Sequence, residues 1–516
     1  MRVIDIFDVG VRRHPDRPAF VDGDRHLTYT EAQAASGRIA NLLRELGIAE
    51  QERVATLGPN CIESVMAQLG IWRAGATWVP LNARSPLEEL VHSLRITEAK
   101  CVFYHTAYAE TVDKVARGLS ADIRWIAMDA GGEGEGLLTR MAAYPVDCPI
   151  LGDGPHSMFA MMMTSGTTGL PKAVIMTHLM YETLVNAWQA YFPYDVPPVH
   201  LGVAPLTHAA GAVMATLFPW ATTNVIMREF DAGKVLAAIE RHRITTVFLT
   251  PTMIYMLLAH PDIRKYDYSS LRYVHYFAAP MAADKLKEAI GIFGPVFAQA
   301  FGQTEMVVAA TLFTPGEHTE ALSSPQLEHR LWSAGRATHV AVVEIMDDEG
   351  NILPRGERGE IVCRTNLATP GYHNNPAATA ELQAGGWHHT GDIGRIDEDG
   401  FVYILDRKKD MIISGGFNVY PNEVEQVLMR HTAIRDCAVV GAPDDKWGEA
   451  VIAVIELRDG ATIDDLELIA DCKERIGSVK SPKRVEIWPS LPRSQNGKVL
   501  KREIRAKFWE GRARSI

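Results

Sequence analysis

Short apolar runs, each followed by an amphipathic stretch long enough for a helix, recur along this chain, and that alternation restricts its fold more than any other feature. From about Thr28 to Asn82 the order is a turn, a helix over Ala32 to Leu46, a strand-like Arg53-Val-Ala-Thr-Leu-Gly, a second helix and an apolar Ala76-Thr-Trp-Val-Pro-Leu. Strands separated by helices imply a parallel sheet covered by helices. The pattern resumes after Pro155, with strands expected at Ser157 to Met163, His200 to Ala204, Thr223 to Met227, Thr246 to Leu249 and Tyr273 to Phe277. Helices are expected between them, as at Gly233 to His242 and Ala283 to Ile292. A large α/β body results.

Between Ala337 and Arg364 the texture changes to β-rich runs broken by turns, such as Val340-Ala-Val-Val-Glu-Ile-Met and Glu360-Ile-Val-Cys-Arg, which predicts a small antiparallel or barrel-like subdomain. After Tyr403 the charged run Asp406-Arg-Lys-Lys-Asp410 interrupts the apolar pattern, and a compact α+β unit follows. The expected division is residues 1–408 and 409–516, with the boundary near Lys409. At 516 residues the chain exceeds what one hydrophobic core sustains.

The formal net charge is -11, and Lys and Arg are spread along the chain, which argues against a nucleic-acid partner. The six cysteines (Cys61, Cys101, Cys148, Cys363, Cys437, Cys472) form no CxxC pair, so buried, reduced thiols are expected instead of disulfides or a zinc site. Asp5 and Asp8 break the apolar stretch that a signal peptide needs. The most apolar run, Met158 to Met163, falls far below the roughly 20 residues of a membrane-spanning helix. A cytoplasmic protein with no integral membrane segment is the expectation.

The strongest chemical signal is Met163-Thr-Ser-Gly-Thr-Thr-Gly-Leu-Pro-Lys-Ala173, an apolar strand running into hydroxyls (Thr164, Ser165, Thr167, Thr168), glycines (Gly166, Gly169) and a lysine (Lys172). Glycines let backbone N–H groups approach phosphate oxygens, hydroxyls donate further hydrogen bonds, and the lysine offsets charge. The spacing is not that of a Walker A loop. A flexible surface linker is the alternative, but linkers of this composition rarely follow an apolar strand and end in Pro-Lys.

Further motifs follow in order: Ala300-Phe-Gly-Gln-Thr-Glu305, Thr390-Gly-Asp392, Asp406-Arg-Lys-Lys-Asp410, Ser414-Gly-Gly-Phe-Asn-Val-Tyr-Pro-Asn-Glu-Val-Glu425 and Leu491-Pro-Arg-Ser-Gln-Asn-Gly-Lys498. With the hydroxyl-rich loop, this ordered set resembles the adenylate-forming superfamily of acyl-CoA synthetases, firefly luciferase and peptide-synthetase adenylation domains. The likeness covers essentially the whole chain.

By that resemblance the chain joins a carboxylic acid to AMP at the expense of ATP, releasing pyrophosphate, and then passes the acyl group to coenzyme A. Attack of a carboxylate on the α-phosphorus brings anions together, so charge neutralisation and positioning must carry the catalysis. The resemblance makes Glu305 the Mg²⁺ ligand and Thr304 a donor to the α-phosphate. It sets adenine against Ala278, Ala279, Pro280 and Phe301, with Gly302 beside the nucleotide. Asp392 and Arg407 take the ribose, and Lys498 bridges the substrate carboxylate and the α-phosphate. The C-terminal domain is implied to be mobile about Lys409, with Gly415 and Gly416 passing the pantetheine arm and Trp447 near its route.

Read alone, several of these residues have plainer roles. Gly302-Gln-Thr-Glu305 fits a helix-start cap, Asp392 a turn residue, Arg407 a surface ion pair, Lys498 a solvated lysine, Gly415 and Gly416 a β-turn, and Trp447 a core anchor. The ordered set selects function.

For the acid, the family match makes His208 in Pro205-Leu-Thr-His-Ala-Ala-Gly211 a gate at the pocket mouth, with a core histidine as the alternative. No carboxylate follows it, which disfavours an amino-acid substrate. Ala209, Ala210, Val213, Met306, Val307 and Val308 suit a hydrophobic acid, whether fatty, aryl or alicyclic, and equally suit an ordinary core. Phe301 stands where many relatives have Tyr, Ala173 where Gly is usual and Ser494 where Thr is frequent. Rival readings are transfer to a carrier-protein thiol or to oxygen, and, from another class, a catalytically silent nucleotide-binding scaffold. Oligomeric state is open, a homodimer being one option.

Overall fold

The computed structural model describes residues 1–119, 122–129, 136–148, 154–164, 171–493 and 499–510. The chain divides into two compact units, Met1–Val343 with Cys363–His388, and Glu344–Val362 with His389–Ile516. Lys409 lies inside the second.

The first unit holds two large sheets. A six-stranded sheet runs Arg124–Ala127, Cys101–Tyr104, Arg53–Leu57, Thr77–Leu81, Met158–Thr164 and Lys172–Thr177. It is parallel except at its last pair, which is antiparallel. A nine-stranded sheet has a parallel centre, Phe297–Phe301, Tyr273–Tyr276, Thr246–Leu249, Val199–Gly202, Thr223–Ile226 and Pro18–Asp22, extended by antiparallel strands at both ends.

The alternation read from sequence therefore holds, with the strand Thr246–Leu249 at its expected bounds. The first long helix, Tyr29–Glu45, begins earlier than expected because Thr28 caps it. Thr28 Oγ1 accepts from Glu31 N at 3.2 Å, and Glu31 Oε2 accepts from Thr28 N at 2.8 Å.

One face of the six-stranded sheet packs Leu57, Val79, Val102, Met161 and Ala173 against Leu90 and Leu94 of the helix Leu87–Ile96, all of them buried. Two strands of the hydroxyl-rich motif are thereby held on a rigid layer, since Met161 and Ala173 belong to this core.

Most of a four-stranded sheet in sequential order, Ala341–Met346, Gly359–Thr365, His388–Ile396 and Val402–Arg407, falls in the second unit. The small β subdomain thus extends past Arg364, its limit in sequence, and is an open sheet with Ala341–Met346 and Val402–Arg407 at its edges. A five-stranded sheet follows, built on the antiparallel pair Ile434–Asp444 and Gly448–Leu457. Its strands alternate, so Val439, Val451, Ala453 and Ile455 face Val424, Leu428 and Leu468 of the helices Pro421–Leu428 and Asp465–Lys480. Ala438, Val440, Ile452 and Val454 on the other face pack against Leu491 and Ile504, the latter from the helix Lys501–Trp509.

The cysteines form no disulfide among the described residues. Five are buried as expected, but Cys148 is only half-buried. No helix among the described residues is long and apolar enough to cross a membrane.

Candidate active site

The hydroxyl-rich loop is anchored at both ends by pairing. Thr164 and Lys172 are directly opposed in the hairpin of Met158–Thr164 and Lys172–Thr177. The Pro171 carbonyl is also 2.9 Å from the Nε2 of His92 on the helix Leu87–Ile96. Ser165, Gly166, Thr167, Thr168 and Gly169 lie outside the described residues.

Beside this hairpin runs the segment 367–373. Ile175 N donates to the Gly371 carbonyl at 3.1 Å and His373 N to the Ala173 carbonyl at 2.8 Å. On its other side the segment takes hold of the loop that follows the strand Phe297–Phe301. Val307 N donates to the Leu367 carbonyl at 3.1 Å, and Thr369 N to the Glu305 carbonyl at 2.8 Å. The two candidate phosphate elements are thus stitched together by one irregular strand.

At this junction Tyr372 hydroxyl donates to Glu305 Oε1 at 2.8 Å, while Lys172 Nζ lies 4.8 Å from the centre of the Tyr372 ring. A cation and a carboxylate are brought to one aromatic side chain. Burial, with the Glu305 carboxylate beside it, pushes the Tyr372 phenol well above its usual range, so it is a donor at neutral pH.

Gly302 to Glu305 form a turn after a strand and no helix starts there, which removes the capping alternative. A Cβ at Gly302 would lie 2.6 Å from Val308 Cα, so only glycine lets this turn close. Glu305 and Thr304 are half-buried. Among the described residues no group of three or more His, Cys, Asp or Glu could hold a metal ion. A single half-buried carboxylate fits an Mg²⁺ that keeps waters and substrate phosphates as its other ligands.

Phe301 is buried, whereas Ala278 and Pro280 are exposed. Ala278 adopts φ +78, a left-handed conformation that costs a residue with a Cβ. Such strain is concentrated at functional sites.

His208 precedes the helix Ala209–Thr216, with Nδ1 2.9 Å from Thr207 Oγ1. Burial pulls its pKa below the ordinary histidine value. Ala210, Val213, Met306 and Val307 are buried, Ala209 and Val308 half-buried.

In the second unit Asp392 and Arg407 are cross-strand partners, with Arg407 Nε 2.7 Å from Asp392 Oδ1. Asp392 was expected in a turn and instead lies within the strand His388–Ile396. The turn-like signal came from Gly391, at φ +67, and from Thr390, whose Oγ1 accepts from Asp392 N at 3.1 Å while the strand continues. Glu360 Oε1 accepts from Gly391 N at 3.0 Å, and Glu360 Oε2 lies 3.3 Å from Lys408 Nζ.

Gly415 and Gly416, at φ +60 and +83, form the two-residue turn of the hairpin Ile412–Ser414 and Phe417–Val419. Trp447 covers that turn. A Cβ at position 415 would lie 2.7 Å from its ring, and the ring also receives Lys446 Nζ at 4.8 Å from its centre. At 38% exposure Trp447 is no core anchor.

The AMP-binding enzyme family model matches residues 7–373, and the AMP-binding enzyme C-terminal domain model matches residues 423–498. The chain belongs to the AMP-binding enzyme family. It is 36% identical to the medium/long-chain-fatty-acid–CoA ligase FadD8 of Mycobacterium tuberculosis, over 98% of this chain and 90% of that protein. It is also 36% identical to a feruloyl-CoA synthase of Amycolatopsis, over 96% of this chain and 97% of that one. Among solved structures it is similar to the amide bond synthetase McbA of Marinactinospora thermotolerans, with a TM-score of 0.88 and 29% identity over 98% of this chain and 100% of the other.

Within this AMP-binding enzyme the structure draws Lys172 and Glu305 together, pairs Asp392 with Arg407, and sets Trp447 on Gly415. Lys498 lies outside the described residues, but Arg493 and Val499, which flank its segment, pair with each other. Sequence reasoning missed Tyr372, His92, Glu360 and Thr369. For Tyr372 the available signal was an aromatic residue in the turn-rich run Gly371-Tyr-His-Asn-Asn-Pro376.

Proposed function

We propose that this protein is an ATP-dependent acid:CoA ligase that converts a hydrophobic carboxylic acid and ATP to acyl-AMP and pyrophosphate, then to acyl-CoA and AMP. The observation that carries this reading is the meeting of Lys172 and Glu305 at Tyr372. It supplies a positive and a negative group on one rigid junction, as a magnesium polyphosphate requires. The two CoA-forming relatives support the thioester product, and their acids, fatty and aryl, match the small and apolar residues around His208.

In the first step the carboxylate oxygen bonds to the α-phosphorus, the bond to the bridging oxygen breaks, and pyrophosphate leaves. Thr304 donates to the α-phosphate, Lys172 faces the leaving phosphates, and Lys498 neutralises the carboxylate and α-phosphate together. Glu305 would hold Mg²⁺, which when bound offsets phosphate charge. Asp392 and Arg407 take the ribose. In the second step the CoA thiol attacks the acyl carbon and AMP leaves, with Lys409 as the hinge, Gly415 and Gly416 lining the pantetheine path and Trp447 beside it.

Because a similar solved structure is that of an amide bond synthetase, the acceptor is the step to test. Incubation with ATP, Mg²⁺ and CoA over short, medium, long, aryl and ring-bearing acids should release AMP only when acid is present and yield acyl-CoA by mass spectrometry. AMP release with an amide or carrier-bound product, and no thioester of CoA, would move the chain to another acceptor. No AMP with any acid would remove the ligase reading.

A further inference from the structure

We propose that Tyr372 is a positioning residue for the metal step, its hydroxyl fixing the Glu305 carboxylate that would hold Mg²⁺. This rests on the reading of Glu305 as the metal ligand.

The backbone around Tyr372 is tied at each side. Tyr372 N donates to Thr379 Oγ1 at 3.0 Å. Thr369 Oγ1 reaches the carbonyls of Ile175 and Gly371 at 2.7 and 2.9 Å, and accepts from Gly371 N at 3.0 Å. The phenol ring is therefore not a mobile surface group but a fixed strut between the hairpin strand Lys172–Thr177 and the Glu305 turn. Its hydroxyl meets Glu305 Oε1 at 2.8 Å across 67 residues of sequence.

A glutamate on a turn has three rotatable side-chain bonds, and a lone carboxylate must give up that freedom when it binds a metal. A hydrogen bond to one oxygen removes much of that cost beforehand and orients the other. The same residue keeps Lys172 over its ring, so the cation on the phosphate side and the carboxylate on the metal side share one support. Partners of this kind behind a metal ligand typically set affinity by about 10- to 100-fold.

Tyr372→Phe removes the hydroxyl and keeps the ring under Lys172. With Mn²⁺ as a paramagnetic probe and α,β-methylene-ATP as the unreactive nucleotide, Tyr372→Phe should weaken Mn²⁺ binding to the enzyme–nucleotide complex about tenfold. The Mg²⁺ concentration for half-maximal adenylation should rise by the same factor, with little change in kcat at saturating Mg²⁺ and an unchanged melting midpoint. Tyr372→4-aminophenylalanine, which retains a donor and the ring, should restore the affinity. It also serves should Tyr372→Phe not fold.

Unchanged Mn²⁺ affinity in Tyr372→Phe, with loss in Glu305→Gln, overturns the inference and leaves the reading of Glu305 standing. Unchanged affinity in Glu305→Gln as well overturns both. A uniform slowing at every Mg²⁺ concentration with a lowered midpoint, or failure of the amino analogue to restore binding, reduces Tyr372 to a packing residue.

Discussion

Lys501→Met should destabilise the second unit strongly at alkaline pH and much less near pH 5.5. Lys501 opens the helix Lys501–Trp509, and its ammonium lies 2.8 Å from Glu425 Oε1, with the two side chains only 21% and 15% exposed. Glu425 also accepts from Val439 N at 2.7 Å, and Asp406 accepts from Asn422 N at 2.6 Å, so both carboxylates are held in place. At an effective dielectric of about 20 the pair attracts by roughly 6 kcal/mol, much of which is offset by desolvation. Removing one partner of such a pair typically costs about 3–5 kcal/mol, because a charge is left buried alone.

Burial raises the Glu425 carboxyl above its usual range and Lys501 restrains that rise. In the wild type, burial opposes the charge on Lys501 but Glu425 and Asp406 outweigh it and raise its pKa, so this stabilisation is lost as pH rises through the raised value and fades on the acid side as Glu425 takes up a proton. Without Lys501 the Glu425 carboxyl rises further and takes up a proton as pH falls. At pH 8 the melting transition should drop by roughly 6–12 °C for a loss of about 3 kcal/mol. At pH 5.5 the gap to the wild type, measured in parallel, should shrink to about half or less. An equal drop at both pH values, or none, would refute the claim that the ammonium offsets a buried carboxylate.

Acid should unfold the protein through buried histidines. Burial lowers His178, His200 and His318 to about 4 and His275 to about 3. The unfolded chain therefore binds more protons below about pH 6.5, and each neutral imidazole loses on the order of 2 kcal/mol of stability by pH 5. A melting midpoint flat from pH 7 to 4.5 would contradict this. Gly415→Ala meets the Trp447 ring at 2.7 Å in a left-handed turn, and should cost about 1–3 kcal/mol. It should slow thioester formation more than adenylation, read by separate half-reaction assays. Lys498→Ala should cripple adenylation and largely spare thioester formation from supplied acyl-AMP; equal loss in both would count against the two-step assignment.

What the chain declares by itself is whatever repeats locally. A buried strand shows as a short apolar run and a helix as an apolar stripe, which is why Thr246–Leu249 and the helix starting at Ala283 were legible without coordinates. The ordered motifs were legible for a related reason. Glycines, hydroxyls and charges clustered within a few residues have few structural uses, and their succession carried the resemblance to a known family.

Only the tertiary structure decided which distant residues meet. Asp392 reads as a turn residue because Thr390 and Gly391 have turn chemistry, and only pairing with Val402–Arg407 keeps it in a strand opposite Arg407. Tyr372 belongs to no periodic segment, and its value lies in a hydrogen bond to a carboxylate 67 residues away. Hydrophobic pattern measures burial along the chain, which is a local property. Hydrogen bonds and ion pairs such as Tyr372–Glu305 and Lys501–Glu425 are set by where packed layers bring separate segments together, and one-dimensional pattern does not encode that.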